Sequence, residues 1–99
     1  MPAYVAVSIQ VHDPERYAEY IERAPATVAN HGGRYLVRAG RSELLEGDWD
    51  LKRFVVLEFP TYGAAKGWYE SEDYAPVMAI RHATATSRMV LYEGADVRA

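Results

Sequence analysis

The strongest constraint on the fold is a change of period near residue 12. Val5, Val7, Ile9 and Val11 alternate with Tyr4, Ala6, Ser8 and Gln10. A period of two describes a strand with one greasy face and one mixed face. His12-Asp13-Pro14 then switches the chain to a helix. Asp13 can cap its first turn, and Pro14 gives up an amide hydrogen that has no helical acceptor. Tyr17, Tyr20, Ile21, Ala24 and Val28 recur at three and four, which points one stripe at a core. Pro25 sits inside that stripe and predicts a kink or split near Ala24. Asn30-His31-Gly32-Gly33 reads as the helix stop, with Gly32 in the left-handed position.

The same switch repeats. Arg34 to Ala39 reads as a strand, with Tyr35, Val37 and Ala39 on one face and Arg34, Leu36 and Arg38 on the other. Gly40 to Leu51 is a connection with a short strand expected at Glu43–Leu45. Lys52 to Phe59 contains the continuous apolar run Phe54-Val55-Val56-Leu57, the pattern of a central strand covered on both faces. Pro60 ends it and Thr61 can cap a helix carrying Ala64, Ala65, Trp68 and Tyr69. Ser71 to Asp73 breaks that helix, a second piece runs from Tyr74 to His82, and Ser87 to Glu93 is the last strand. The order is βαββαβ, an α+β ferredoxin-like arrangement in which a four-stranded antiparallel sheet carries its helices on one face. Residues 1–95 form a single domain, and 96–99 are expected to be a loose tail. The bare sheet face asks for a partner, and a second copy would cover it.

Composition narrows the partners. Eleven basic and fourteen acidic residues give a net charge of −3 with no basic stripe, so nucleic acid is not expected. The absence of cysteine removes disulfides, thiol catalysis and thiolate metal sites. No apolar run approaches the roughly 20 residues of a membrane span. The first residues read as a strand rather than a leader, which leads to a cytoplasmic expectation. The three histidines share no ligand spacing, so no metal and no cofactor is called for. Eight tyrosines and two tryptophans stand out, because such side chains serve pocket walls and interfaces as readily as half-buried sheet.

Several residues then stand as candidates. His31 could carry a proton, as imidazoles do in general base catalysis, yet a helix C-terminus favours a cationic side chain for electrostatic reasons alone. Tyr69 is the other candidate proton carrier. Arg38 could grip a carboxylate or enolate with its planar fork, or simply pair with Glu58 across the sheet. Trp49, Arg53, Trp68, Tyr74 and Arg81 complete a set of substrate-binding candidates. Trp68 also fits plain helix-on-sheet packing. If Trp49, Tyr69 and Arg81 converge on one concavity they mark a site, and if they disperse they belong to core and interface.

The runs Gly32-Gly33-Arg34-Tyr35-Leu36-Val37-Arg38, Leu45-Glu46-Gly47-Asp48-Trp49 and Arg53-Phe54-Val55-Val56-Leu57-Glu58-Phe59-Pro60, followed by Ala65, Trp68-Tyr69, Ser71, Tyr74 and Arg81, resemble domain of unknown function 1330 of the dimeric α/β-barrel superfamily. The resemblance spans nearly the whole chain. It implies a ferredoxin-like protomer and a homodimer, and it names no reaction. Members often carry Gly-Gly where this chain has Ala39-Gly40, so a positive φ at residue 39 is not expected. They also often carry proline where this chain has Leu51. Trp68 and Tyr74, with Arg88, resemble the spacing of a Trp, Tyr and Arg in cofactor-independent antibiotic-biosynthesis-type monooxygenases. Those enzymes place an asparagine one turn before the tryptophan, where this chain has Ala64. The expected function is binding, and possible transformation, of a small anionic or carbonyl-containing aromatic or apolar metabolite. The alternatives are a cofactor-independent monooxygenase and a non-catalytic ligand-binding or structural dimer.

Overall fold

A computed structural model describes residues 1–95; the expected tail at 96–99 lies outside the described residues. The elements follow the expected order: β1 (Ala3–Val11), α1 (Pro14–Asn30), β2 (Arg34–Arg38), β3 (Arg53–Phe59), α2 (Tyr62–Tyr69), α3 (Ala75–Thr84) and β4 (Ala85–Glu93). The four strands form one antiparallel sheet in the order β2-β3-β1-β4. Capping behaves as the residues dictate. Asp13 accepts from the Arg16 amide at 3.2 Å and Thr61 from the Ala64 amide at 3.0 Å. Gly32 takes φ +78° at the end of α1. A Cβ at Gly33 would lie 2.6 Å from the Phe59 ring, so only glycine lets this turn pass over the sheet.

The pleat of β1 sorts the molecule into two sides. Ala3, Val5, Val7 and Ile9 are buried beneath the helices with Val55, Leu57 and Phe59 of β3. Fully burying side chains of this size stabilises by about 1.5–3 kcal/mol each. Ala24 and Val28 of α1, Ala65 and Trp68 of α2, and Val77 of α3 close this core. The other face carries Ala6, Ser8, Phe54, Val56, Arg88 and Val90 and has no covering layer among the described residues, and the molecule measures 44 × 39 × 17 Å. β3 is internal, as its apolar run required, but only one of its faces is covered within the chain. Among the described residues no helix is long and apolar enough to cross a membrane.

Four local expectations are corrected. No strand forms at Glu43–Leu45; the chain from Gly40 to Lys52 has no regular structure. A bulge between Tyr35 and Val37 breaks the alternation of β2. Tyr35 opposes Leu57 and Arg38 opposes Val55, so both face the helices, while Val37 opposes Val56 on the open side. A bulge inserts one unpaired residue, here Leu36, and inverts every side chain beyond it. Ala39 adopts φ +53°, contrary to expectation. Its amide is held by the Phe54 carbonyl at 2.8 Å, and that ladder bond offsets a steric cost of about 1–2 kcal/mol.

The fourth correction concerns Pro25. The expected split does not form: α1 runs through Pro25 from Pro14 to Asn30. Proline leaves the carbonyl four residues earlier, that of Ile21, without its helical donor. The Arg38 guanidinium donates to that carbonyl at 3.0 Å. The bulge thus delivers an arginine to the one acceptor that the proline releases. Pro25→Ala returns an amide hydrogen to Ile21 and makes the arginine's bond redundant. Arg38→Ala is expected to cost about 1 kcal/mol in the native background and measurably less beside Pro25→Ala. Urea unfolding of the four proteins of this cycle measures the coupling; strictly additive losses would show that the bond carries nothing.

Candidate functional site

A narrow cleft opens between α1 and the sheet. Tyr17, Tyr20 and Ile21 form its helical wall, Val7, Ile9, Val55 and Leu57 its floor, and Tyr35, Arg38 and Arg53 one side. Trp68 and Met89 close the far end. Its total void, counted out to solvent, is about 390 Å³. Its enclosed part has room for about one water. A larger guest enters only if the walls part.

Each charged group on this wall has an identifiable position. Arg38 is exposed at the edge of the cleft, with its guanidinium carbon 4.8 Å from the centre of the Tyr35 ring as well as on the Ile21 carbonyl. Glu58, its expected cross-strand partner, instead binds Arg34 at 2.7 Å, because the register sets Arg34 against Glu58. Arg53 is half-buried, 5.8 Å from the centre of the Tyr17 ring, and its Nε has no partner. No carboxylate and no imidazole lines the cleft among the described residues.

Behind the wall lies an aromatic and cationic cluster. The hydroxyls of Tyr20 and Tyr74 meet at 2.7 Å. Tyr74 stacks at 4.2 Å from Trp68, whose indole N–H donates to the Thr27 hydroxyl at 3.1 Å. Arg81 is 3% exposed, with its guanidinium carbon 6.0 Å from the centre of the Tyr20 ring. Burial pulls against its charge, but the phenol oxygens of Tyr74 and then Tyr20 more than offset that and hold its pKa above the ordinary value. Burial, with Tyr74 beside it, pushes the Tyr20 hydroxyl far above the usual phenol range. Burial likewise raises Tyr17 and Tyr35, so all three hydroxyls are neutral donors at physiological pH. The cleft can therefore hold and polarise an oxygen acceptor, and it offers no base.

The other candidates lie elsewhere. Trp49 is over half exposed on the open sheet face, edge-on to Phe54 at 6.1 Å. Arg88 faces that same side, so it does not join Trp68 and Tyr74. Tyr69 lies in a shallow groove with Tyr62 and Lys66 between α2 and β4. Trp49, Tyr69 and Arg81 therefore disperse, the outcome expected of core and interface residues, while Arg38, Arg53 and Trp68 share the cleft. His31 caps α1, and its Nε2 lies 3.1 Å from Asp73 at the α2–α3 junction. Among the described residues no three His, Asp or Glu side chains cluster as a metal site would need. Sequence reasoning missed Tyr17, Tyr20 and Tyr35 as site residues. Their signal was present: a tyrosine on an apolar stripe must place its hydroxyl against a partner.

The model of the domain of unknown function DUF1330 matches residues 2–95. The chain belongs to the DUF1330 family. No curated protein matches it. Among solved structures this DUF1330 chain is similar to a protein of unknown function from Rhodopseudomonas palustris, at 17% identity and a TM-score of 0.77, over 96% of this chain and 83% of that one. It is similar to SnoaB, a cofactor-independent oxygenase from Streptomyces nogalater, at 18% identity and TM-score 0.69, over 97% and 95% of the two chains. It is also similar to a dimeric ferredoxin-like protein of unknown function from Jannaschia sp. CCS1, at 13% identity and TM-score 0.70, over 95% and 100%. At these identities the likeness establishes the ferredoxin-like α+β fold.

The junction around Asp73 gives a pH prediction. The Ser71 hydroxyl first, then His31 and Asn30, hold the Asp73 carboxyl well below the usual carboxylate range. A depressed pKa contributes stability that is present above the unfolded value and lost as pH falls through the folded one. The native protein should therefore lose melting temperature more steeply than Asp73→Asn between about pH 5 and pH 2. Circular dichroism melts across this range check it, and parallel curves would refute it.

Proposed function

We propose that this protein binds a small, mostly aromatic or apolar molecule with an anionic or carbonyl end in the cleft between α1 and the sheet. One observation carries the reading. The half-buried guanidinium of Arg53 lines a cleft walled by Tyr17, Tyr20, Tyr35 and Trp68, with Arg38 exposed at its edge and, among the described residues, no carboxylate in its lining. Charge placed against apolar surface without a counter-ion is costly, and an anionic guest relieves that cost. Arg38 also ties β2 to the proline-weakened middle of α1, so the closed cleft has a natural place to part. His31 and Tyr69 do not line this cleft, and the proposal gives them structural roles.

The proposal includes a homodimer. Val37, Val90, Tyr92 and Trp49 leave 40–68% of their surface exposed on the open side of the sheet. A Jannaschia protein of the same fold is dimeric, which supports sheet-to-sheet pairing of two copies of this chain. A charge at the centre of that face, as in Val90→Glu, should yield monomers by light scattering at micromolar concentration. A native protein that is itself monomeric there would end the proposal.

The oxygenase reading has one observation in its favour, the likeness in fold to SnoaB. Two observations weigh against it: Ala64 occupies the asparagine position, and Arg88 lies across the sheet from Trp68 and Tyr74. Thermal shift with a panel of small aromatic acids and their neutral analogues tests the binding reading. A guest at about a hundred times its Kd stabilises by about 2.7 kcal/mol. In a chain of this length that raises the melting temperature by roughly 10 °C or more. A panel that leaves the melting temperature unmoved counts against the cleft as a binding site.

A further inference from the structure

The cluster behind the cleft has more hydrogen-bond donors than acceptors. Arg81 is buried, its Nε has no partner among the described residues, and the oxygens it meets belong to neutral phenols. Arg53 Nε and Ser87 Oγ are likewise buried without partners. These two residues flank Ile9 on either side, on the helix-facing surface of the sheet. The rings of Tyr17 and Tyr20 lie 5.3 Å apart, with Arg53 over the first and Arg81 over the second. Tyr20 and Tyr74 have two hydroxyl protons and share one bond, and Arg81 can only donate to them. Among the described residues one of these protons is therefore left without an acceptor. Two guanidinium charges and three phenols adjoin here, and no carboxylate bonds to any of them among the described residues. A buried, uncompensated cation with unpaired donors is a costly arrangement that an acceptor oxygen repairs.

We infer that this cluster is an oxyanion site: Arg53 and Arg81, with the Tyr20–Tyr74 hydroxyl pair, take the carboxylate or enolate end of the guest. The inference rests on the cleft reading and adds direction to it. The charged end goes inward, and the apolar remainder lies toward Arg38. Arg38 is a gate rather than the clamp, since its fork is already engaged by the Ile21 carbonyl and the Tyr35 ring. The ligand class is a small planar monoanion, an aromatic carboxylate or a stabilised enolate. A neutral aromatic lacks the group that the cluster is short of.

Trp68 reports on the site directly, because it stacks on Tyr74. The experiment uses Trp49→Phe protein, which leaves Trp68 as the single tryptophan. It follows indole fluorescence and melting temperature with formate, benzoate and benzyl alcohol at constant ionic strength. Benzoate should bind, and Tyr20→Phe, Tyr74→Phe or Arg81→Gln should each weaken it by about tenfold or more. Arg38→Ala should change benzoate affinity by less than about threefold, and benzyl alcohol should be indifferent to all four substitutions. Should Arg81→Gln fail to fold, the two tyrosine variants carry the test, since each removes only a hydroxyl. Benzoate weakened by Arg38→Ala but untouched by the tyrosine and Arg81 variants would overturn the inference and leave the cleft reading standing. Formate bound at the cluster, with neither aromatic bound, would keep the inference and remove the cleft reading. No response to any of the three would overturn both.

Discussion

The pleat of β1 is the constraint on which the rest of this structure depends. The strand hydrogen-bonds to β3 on one side and β4 on the other, so its alternation is imposed on both neighbours through the register. A slip of one residue would turn Val5, Val7 and Ile9 to solvent, and with them the whole face that receives the helices. Because the pattern is strict, the helices have one side on which to pack. The second side is left half-apolar and uncovered. The same alternation that builds the core therefore also creates the surface that asks for a partner.

Against this regular frame, the candidate site is built from irregularities. A bulge in β2 turns Arg38 to the helical side, a left-handed Ala39 follows it, and Pro25 releases the carbonyl that Arg38 takes. None of the three is favourable alone. Proline inside a helix loses a bond, alanine at positive φ meets its own carbonyl, and a bulge leaves Leu36 unpaired and half exposed. Together they place a fixed arginine at the edge of a cleft. Strain and irregular pairing are concentrated where a guest would enter, and the frame elsewhere is ordinary.

Electrostatics separates the two kinds of arginine in this chain. Arg23 and Arg34 lie at the surface and have acidic partners, Glu19 and Glu58. Arg53 and Arg81 reach toward the interior and meet the rings of Tyr17 and Tyr20 instead, while Arg38 stays exposed at the cleft edge over Tyr35. Exposed pairs contribute little to stability, whereas an interior guanidinium without a counter-ion is retained at a cost. That asymmetry is the chemical character of the site, and membership of DUF1330 does not by itself disclose it. SnoaB and the Jannaschia protein share the frame at under a fifth identity, and a shared frame hosts many sites.

What the amino-acid sequence determined by itself was everything that periodicity and local chemistry control. The element order, the caps at Asp13 and Thr61, the stop at Gly32 and the split of the second helix at Ser71–Asp73 all follow from contacts within a few residues. The core stripe of Val5, Val7 and Ile9 was legible for the same reason. Tertiary structure alone decided which face Arg38 occupies, because a bulge is a property of two paired strands and leaves no mark on the period of one. It decided that α1 survives Pro25, because the compensating donor comes from a strand thirteen residues further along. It decided that Trp49 and Arg88 belong to the open face, and that Tyr17, Tyr20, Tyr74 and Arg81 meet at all. These residues come from two helices far apart in the chain, and only the packing of α1 against α3 brings their charges and hydroxyls within reach of one another.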